Sequence, residues 1–416
     1  MRICRSGPRG PDLLTRRDFH RLVAAGVAAA VVPGYAGSQA SAGPAWAGLT
    51  YADGKRRPVV LAGVPRAAGE AAAIDAIRRV TLEATDLTWL TRGDTVLIKP
   101  VCNSGNPYPA TTDPVALRAM ISLLREKGAR RVIVGDMSGV QFVRFTQDRR
   151  SGSSRELMTR NGIAPACEAA GAEVHAFEEA GWDGFFDEVP RRGANWRRPL
   201  LLPRILKEVD HVVLMPRCSR HLLAGSTLGL KAAVGWWRHD SRSEYHHDAA
   251  TFTQKTAESN TTPSLLDKQR LVLTSATKVL TTFGPDDGFV HEPDTGLVIA
   301  STDVIAHDMV SLAWLLESRT RTPLDVKDGL FEDPYRSGTL VNLANRVIAA
   351  WLGGFGRALS AETLVRHDID SVWDDRVLRR AFEVFDGVPR VELVDANGLV
   401  PRETSRALAA AVALPT

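Results

Sequence analysis

The sequence predicts an α/β fold, a mainly parallel sheet flanked by helices and arranged as two α/β lobes with a cleft. Three observations predict it. From about residue 55, short Val/Ile/Leu runs alternate with longer stretches of helical periodicity. The runs are apolar throughout, as strands covered on both faces require. Finally, 44% apolar against 24% charged residues over 416 positions supports a sizeable core, in two domains or in one α/β domain with large insertions.

The strands fall at Pro58–Val64, Thr95–Ile98, Arg131–Val134, Glu173–Ala176 and His211–Met215, each bounded by Gly, Asp or Pro. Helical patterns lie between them, over Glu70 to Leu90, Asp113 to Lys127, and Ser154 to Ala170 with a break at Gly162. Asp113-Pro114 gives an N-cap acid with proline at the first helical position, and Gly128 gives the stop. A second series has strands at Arg270–Thr274 and Gly296–Ala300 and a helix from Asp303 to Glu317 behind a Ser301-Thr302-Asp303 cap. Residues 178–200 and 238–268, rich in Arg, Gly, Asp, His and Ser, read as long loops. Residues 341–416 read as a helical and irregular extension following an α/β region over 55–340.

The net charge is +4, and residues 1–42 carry six arginines against Asp12 and Asp18, so the remainder of the chain is balanced. That removes the electrostatic footprint of a nucleic-acid binder. The same segment has the parts of an export signal: a basic region ending in Thr15-Arg16-Arg17-Asp18-Phe19, an apolar stretch Leu22 to Val32, and Ala40-Ser41-Ala42. It resembles a twin-arginine (Tat) signal, which implies the Tat machinery as a partner and a periplasmic or extracytoplasmic location. Residues 1–42 are read as that signal and 43–54 as a leader linker. The apolar stretch is too short to cross ~30 Å of hydrocarbon, and no later run approaches ~18 apolar residues, so no membrane span is expected in the mature chain.

Cys4 lies in the signal, and Cys102, Cys167 and Cys218 are scattered without a C-x-x-C, so neither a zinc ribbon nor a four-cysteine cluster can be drawn. The phosphate-loop, dinucleotide, H-E-x-x-H and nucleophile-elbow patterns are also absent. Three stretches survive, all at strand ends, where open α/β sheets bind ligands. Lys99-Pro100 with Asn103 and the hydroxyls before Asp113 offers an anion a charge and hydrogen bonds, or else presents a surface lysine. The stretch Pro216 to Lys231 brings Arg217, Arg220 and His221 to a strand end, followed by the Gly225-Ser226-Thr227 turn. Lys231 follows in apolar surroundings that lower an amine pKa and make it nucleophilic; the alternative is a basic surface loop. The third, His239-Asp240 through Arg242, Glu244, Tyr245, His246, His247 and Asp248, could supply metal ligands or an acid–base pair, or be a solvated loop. Asp303 is an N-cap, whereas Asp308 among apolar neighbours needs a basic partner, for which Lys231 is available.

Together these residues resemble the family carrying the domain of unknown function 362. They are Lys99-Pro100, Gly135-Asp136, Arg220-His221 with Gly225, Thr227 and Lys231, Arg242 with Tyr245-His246, and Ser301, Asp303, Ala306 and Asp308. The cysteine-rich ferredoxin segment of many members is missing, so no electron-transfer role carries over. Where the family pattern has an Asp-Ala pair, this chain has Ser275-Ala276. The spacing of His221, Gly225 and Lys231 is also similar to that of lactate racemases, in which the Lys carries a nickel-pincer nucleotide. This likeness implies a racemase or isomerase acting on a small carboxylate.

The expected function is therefore binding of a small anionic molecule or cofactor of unknown identity, with a racemase-like enzyme or a non-catalytic binding protein as alternatives. His221, Lys231 and His246 are the expected catalytic groups, and Lys99, Asn103, Arg217, Gly225, Thr227, Arg242 and Asp308 the expected binding groups. For the leader, replacing Arg16 and Arg17 together by Lys is expected to block export, because the guanidinium pair is read and not charge alone. Cell fractionation of the double variant checks this; unchanged export removes the Tat reading.

Overall fold

The computed structural model describes residues 48–415; the signal reading of residues 1–42 and most of the linker lie outside them. The main sheet has eight strands. In chain order these are β1 (Tyr51–Pro65), β2 (Thr95–Pro100), β3 (Arg131–Asp136), β4 (Glu173–Ala176), β5 (His211–Met215), β8 (Gln269–Ala276), β11 (Thr295–Ser301) and β12 (Val388–Asp395). They lie side by side in the order β12-β1-β11-β8-β5-β2-β3-β4. Strand β11 runs antiparallel to both its neighbours, with Val60 opposite Ala300 and Leu273 opposite the same residue, while the other pairings are parallel.

Both faces are covered, which is why the strands read as unbroken apolar runs. On one face Val96, Ile98, Val134, Val213 and Leu271 pack against α1 (Gly69–Ala84), α2 (Pro114–Glu126), α3 (Ser154–Arg160) and α4 (Ile163–Ala169). On the other, Leu97, Ile133, Leu214 and Val272 pack against α8 (Val304–Thr320), α10 (Arg376–Val384) and α11 (Arg402–Val412). Both expected caps form: Asp113 accepts from the Val115 amide, and Asp303 from those of Ile305 and Ala306.

Four short strands form a second sheet. They are β6 (Ser219–His221), β7 (Gly225–Thr227), β9 (Val279–Leu280) and β10 (Val290–His291), in the order β7-β6-β9-β10. Because β6 follows β5 and β9 follows β8 after a few residues, this sheet caps the carboxyl ends of the parallel strands.

Two stretches depart from the sequence reading. Residues 238–268, expected as a loop, hold α6 (His239–His247) and α7 (Phe252–Ser259). Helix α6 buries His239, Ser241, Arg242, Glu244, Tyr245 and His246 together, so its polar residues point inward and no apolar period marks it. Residues 341–416, expected as a helical and irregular extension, contribute β12, which pairs in parallel with β1 and places Val59 opposite Leu393. As a half-exposed edge strand containing Pro389 and three charges, it lacks the apolar run of the inner strands. Before β12 comes α9 (Gly338–Ser360), whose helix is interrupted at Gly353 and Gly354 and which packs on α6. Among the described residues no helix is long and apolar enough to cross a membrane.

The C-terminal segment is fastened at Gly63 of β1. The Gly63 amide donates to Asn397 Oδ1 at 3.0 Å and the Gly63 carbonyl accepts from Asn397 Nδ2 at 2.8 Å. A Cβ at Gly63 would overlap the Leu399 backbone. Gly63→Ala is therefore expected to destabilise the fold by about 1–3 kcal/mol through overpacking, measured as a lower urea midpoint.

Candidate functional site

The parallel strands β2, β3, β5 and β8 bring their carboxyl ends to one edge, beneath the small sheet. There a cleft with about 60 Å³ of free space is lined by Lys99, Asn103, Asp136, His221, Thr227, Lys231 and Arg242, with Val101, Met137, Gly139, Ala232, Val234 and Gly235 completing the wall. Six of the ten residues expected at the site line this cleft. Arg217, Gly225, His246 and Asp308 do not.

Lys99, the penultimate residue of β2, is fully buried, and its Nζ lies 2.7 Å from Asp136 Oδ1 at the end of β3. The same Nζ donates to the Pro100 carbonyl at 2.8 Å and the Ala232 carbonyl at 3.3 Å. It sits 5.3 Å from the Trp236 ring centroid. Burial depresses its pKa and the Asp136 charge opposes the shift. Asp136 also accepts from the Cys102 and Met137 amides at 2.7 and 2.9 Å. A Cβ at Gly235 would overlap both partners, so only glycine lets that chain pass over the ion pair.

Lys231 is the contrasting amine. It lies in the short helix α5 (Gly229–Ala232), half-buried, without a carboxylate or hydrogen-bond partner among the described residues. Its Nζ stands 5.8 and 5.9 Å from the Tyr245 and Phe252 ring centroids. Desolvation, with the charges of Arg242 and Arg217, lowers its pKa to about 7. Asp308 is not its partner: that carboxylate accepts from the Gly229 and Leu230 amides at 2.8 and 2.7 Å and from His307 at 2.8 Å. It therefore holds the start of α5 and is too fully engaged to bind a ligand.

The two histidines are set in opposite tautomers. His221 Nδ1 accepts from the Leu223 and Ala224 amides at 3.0 and 3.3 Å, which places the proton of the neutral ring on Nε2. Burial, Lys231 and Arg217 hold its pKa well below the usual value, so the ring is a neutral donor. Asn345 of α9 donates to the His246 carbonyl at 2.8 Å, turning its oxygen to His246 Nδ1, also at 2.8 Å. That oxygen can only accept, so Nδ1 carries the proton and Nε2 keeps a free lone pair. Burial lowers the His246 pKa to about 3. Asn345 has no signal in the sequence, because it lies 99 residues from its partner.

Other expected residues have structural work. Arg242 donates to the carbonyls of Trp237, Ser138 and Met137 at 2.9, 2.5 and 2.7 Å and ties α6 to the end of β3. Gly225 adopts φ +84°, and a Cβ there would overlap Ile369, so it shapes the turn instead of approaching a ligand. Arg220 pairs with Asp333 at 3.2 Å and stacks on Tyr335. His239 meets the Leu352 carbonyl and His247 meets Asp248, so α6 does not gather metal ligands. Among the described residues no three His, Cys, Asp or Glu side chains could hold a metal ion.

A lysine-bound nickel-pincer nucleotide, as the racemase likeness implies, is not matched by these residues. The Lys231 amine is suitably free, but the cleft is far smaller than the 300–1,000 Å³ typical of cofactor-sized sites. Among the described residues no group of three His, Cys, Asp or Glu side chains accompanies it.

The ion pair gives a direct test. Asp136→Asn leaves a buried ammonium without its counter-charge and is expected to cost about 3–5 kcal/mol in denaturant unfolding. The double variant Lys99→Met with Asp136→Asn removes the unpaired charge and should recover much of that loss.

No curated protein matches the chain. Among solved structures it is similar to a protein from Thermotoga maritima, at 13% identity and a TM-score of 0.34 over 51% of each chain. The chain thus spans about half the length of that protein. It is also similar to the lactate racemase apoprotein of Thermoanaerobacterium thermosaccharolyticum, at 13% identity and a TM-score of 0.39, covering 84% of this chain and 85% of that one. The family model of the domain of unknown function DUF362 matches residues 96–313, more than half the length, and the chain belongs to that family.

Proposed function

We propose that the cleft at the carboxyl ends of the parallel strands binds a small anionic ligand, with Lys231 as the cation that meets it. One observation carries this reading: Lys231 is the cleft amine without a carboxylate partner, whereas Lys99 is already matched by Asp136. Asn103, Thr227 and the Nε2 proton of His221 add hydrogen-bonding groups around it. The twin-arginine pattern in residues 1–42 supports an exported protein whose ligand is met outside the cytoplasm.

A second reading, an isomerase acting on a small carboxylate, is favoured by the His221 tautomer. His221 Nε2, at the cleft, can donate a hydrogen bond to an oxygen that gains charge. Retention of every ligand-dependent property by His221→Phe would favour binding alone.

The pH dependence follows from Lys231. Below about pH 7 its amine is protonated and attracts an anion; above that value the charge is lost. His221 and His246 titrate well below this range, so they do not contribute. Glycolate and sulfate keep constant charge between pH 6 and pH 9. Their calorimetric affinity is expected to fall at least about tenfold across that range and to be lost in Lys231→Met. Binding that is independent of both pH and Lys231 contradicts the proposal.

A further inference from the structure

Beside the cleft lie buried polar atoms that nothing in the fold satisfies. Arg217 is fully buried, and only its Nη1 has a partner, the Pro285 carbonyl at 2.5 Å. Its Nε and Nη2 have none. Ser219 Oγ and Thr227 Oγ1 are likewise unpaired, in residues 0% and 3% exposed. Unpaired donors in a dry interior are costly and rare, so a cluster of them calls for a ligand.

Their placement is specific. Ser219 and Thr227 stand directly opposite each other in the antiparallel pair β6–β7, and residues so paired share one face of a sheet. Of the two, Thr227 lines the cleft and Ser219 lies behind it. Arg217 Nε and Nη2 lie along one edge of the guanidinium, where two parallel N–H groups match the two oxygens of a carboxylate. The charge of Arg217 reaches both Lys231 and His221, lowering the pKa of each.

We infer that Arg217, Ser219 and Thr227 form an anchor for the carboxylate of a small monocarboxylate, which the Lys231 charge also attracts. This rests on the reading of the cleft as an anion site and names its ligand class. Shape and size select a small carboxylate. The planar Nε–Nη2 edge of Arg217 matches the planar pair of oxygens of a carboxylate. The buried Asp286 carboxylate, which accepts from Gln141 at 2.5 Å and whose Oδ1 is unpaired, offsets part of the Arg217 charge. Free space of about 60 Å³ suits only a few heavy atoms.

The test is calorimetric titration of the full chain with glycolate and with sulfate at pH 6 and fixed ionic strength. Glycolate is expected to bind at least about tenfold tighter than sulfate. Arg217→Lys keeps the charge but loses the fork, and should weaken glycolate about tenfold or more. Thr227→Val is similar in shape and should weaken it several-fold; it decides the matter if circular dichroism shows that the Arg217 variant misfolds. Glycolate affinity unchanged in Thr227→Val and in a folded Arg217→Lys, or a preference for sulfate, overturns the anchor. If binding in those cases still depends on Lys231, the cleft reading stands alone. Failure of the unaltered chain to bind either anion overturns both.

Discussion

The ion pair between Lys99 and Asp136 is the interaction on which the cleft depends. At 2.7 Å and almost without solvent, it joins the carboxyl ends of two neighbouring parallel strands. Through the Ala232 carbonyl it also holds the end of α5, and through the amides of Cys102 and Met137 it fixes the turns leaving β2 and β3. A buried pair of this kind is not primarily a source of stability, since its desolvation offsets much of the attraction. Its effect is geometric: it ties the two strand ends together, with the chain at Gly235 packed against both side chains.

That arrangement divides the labour among the cations. Lys99 is neutralised, Arg242 spends its donors on backbone carbonyls, and Arg220 is bound to Asp333. Lys231 remains with aromatic rings and two arginine charges around it, a setting that favours the neutral amine and makes protonation depend on an incoming negative charge. The carboxylate nearest in sequence logic, Asp308, is consumed in holding α5, the helix that carries Lys231. Lys231 thus adds its charge to the cleft as the pH falls through about 7.

Much of this was legible in the sequence because it is local. The strands Glu173–Ala176 and His211–Met215 have the bounds their apolar runs imply, and Asp113 and Asp303 cap the helices that their spacing marks. Placing ligands at strand ends was enough to single out Lys99, His221, Thr227 and Lys231. What was not legible is long-range. Strand β12 pairs with a strand more than 300 residues earlier and is only half covered, so neither periodicity nor composition marks it. Helix α6 is polar yet buried, which reverses the usual pattern. Asn345 sets the His246 tautomer across 99 residues, and Asp308 turns to backbone amides instead of to a basic side chain.

The most direct test of the account is the pKa of the Lys231 amine itself, read by NMR of the isotope-labelled lysine side chains and assigned by comparison with Lys231→Arg. The account predicts an apparent pKa near 7 in the ligand-free protein. A value near 10.4, that of an ordinary solvated lysine, would contradict it.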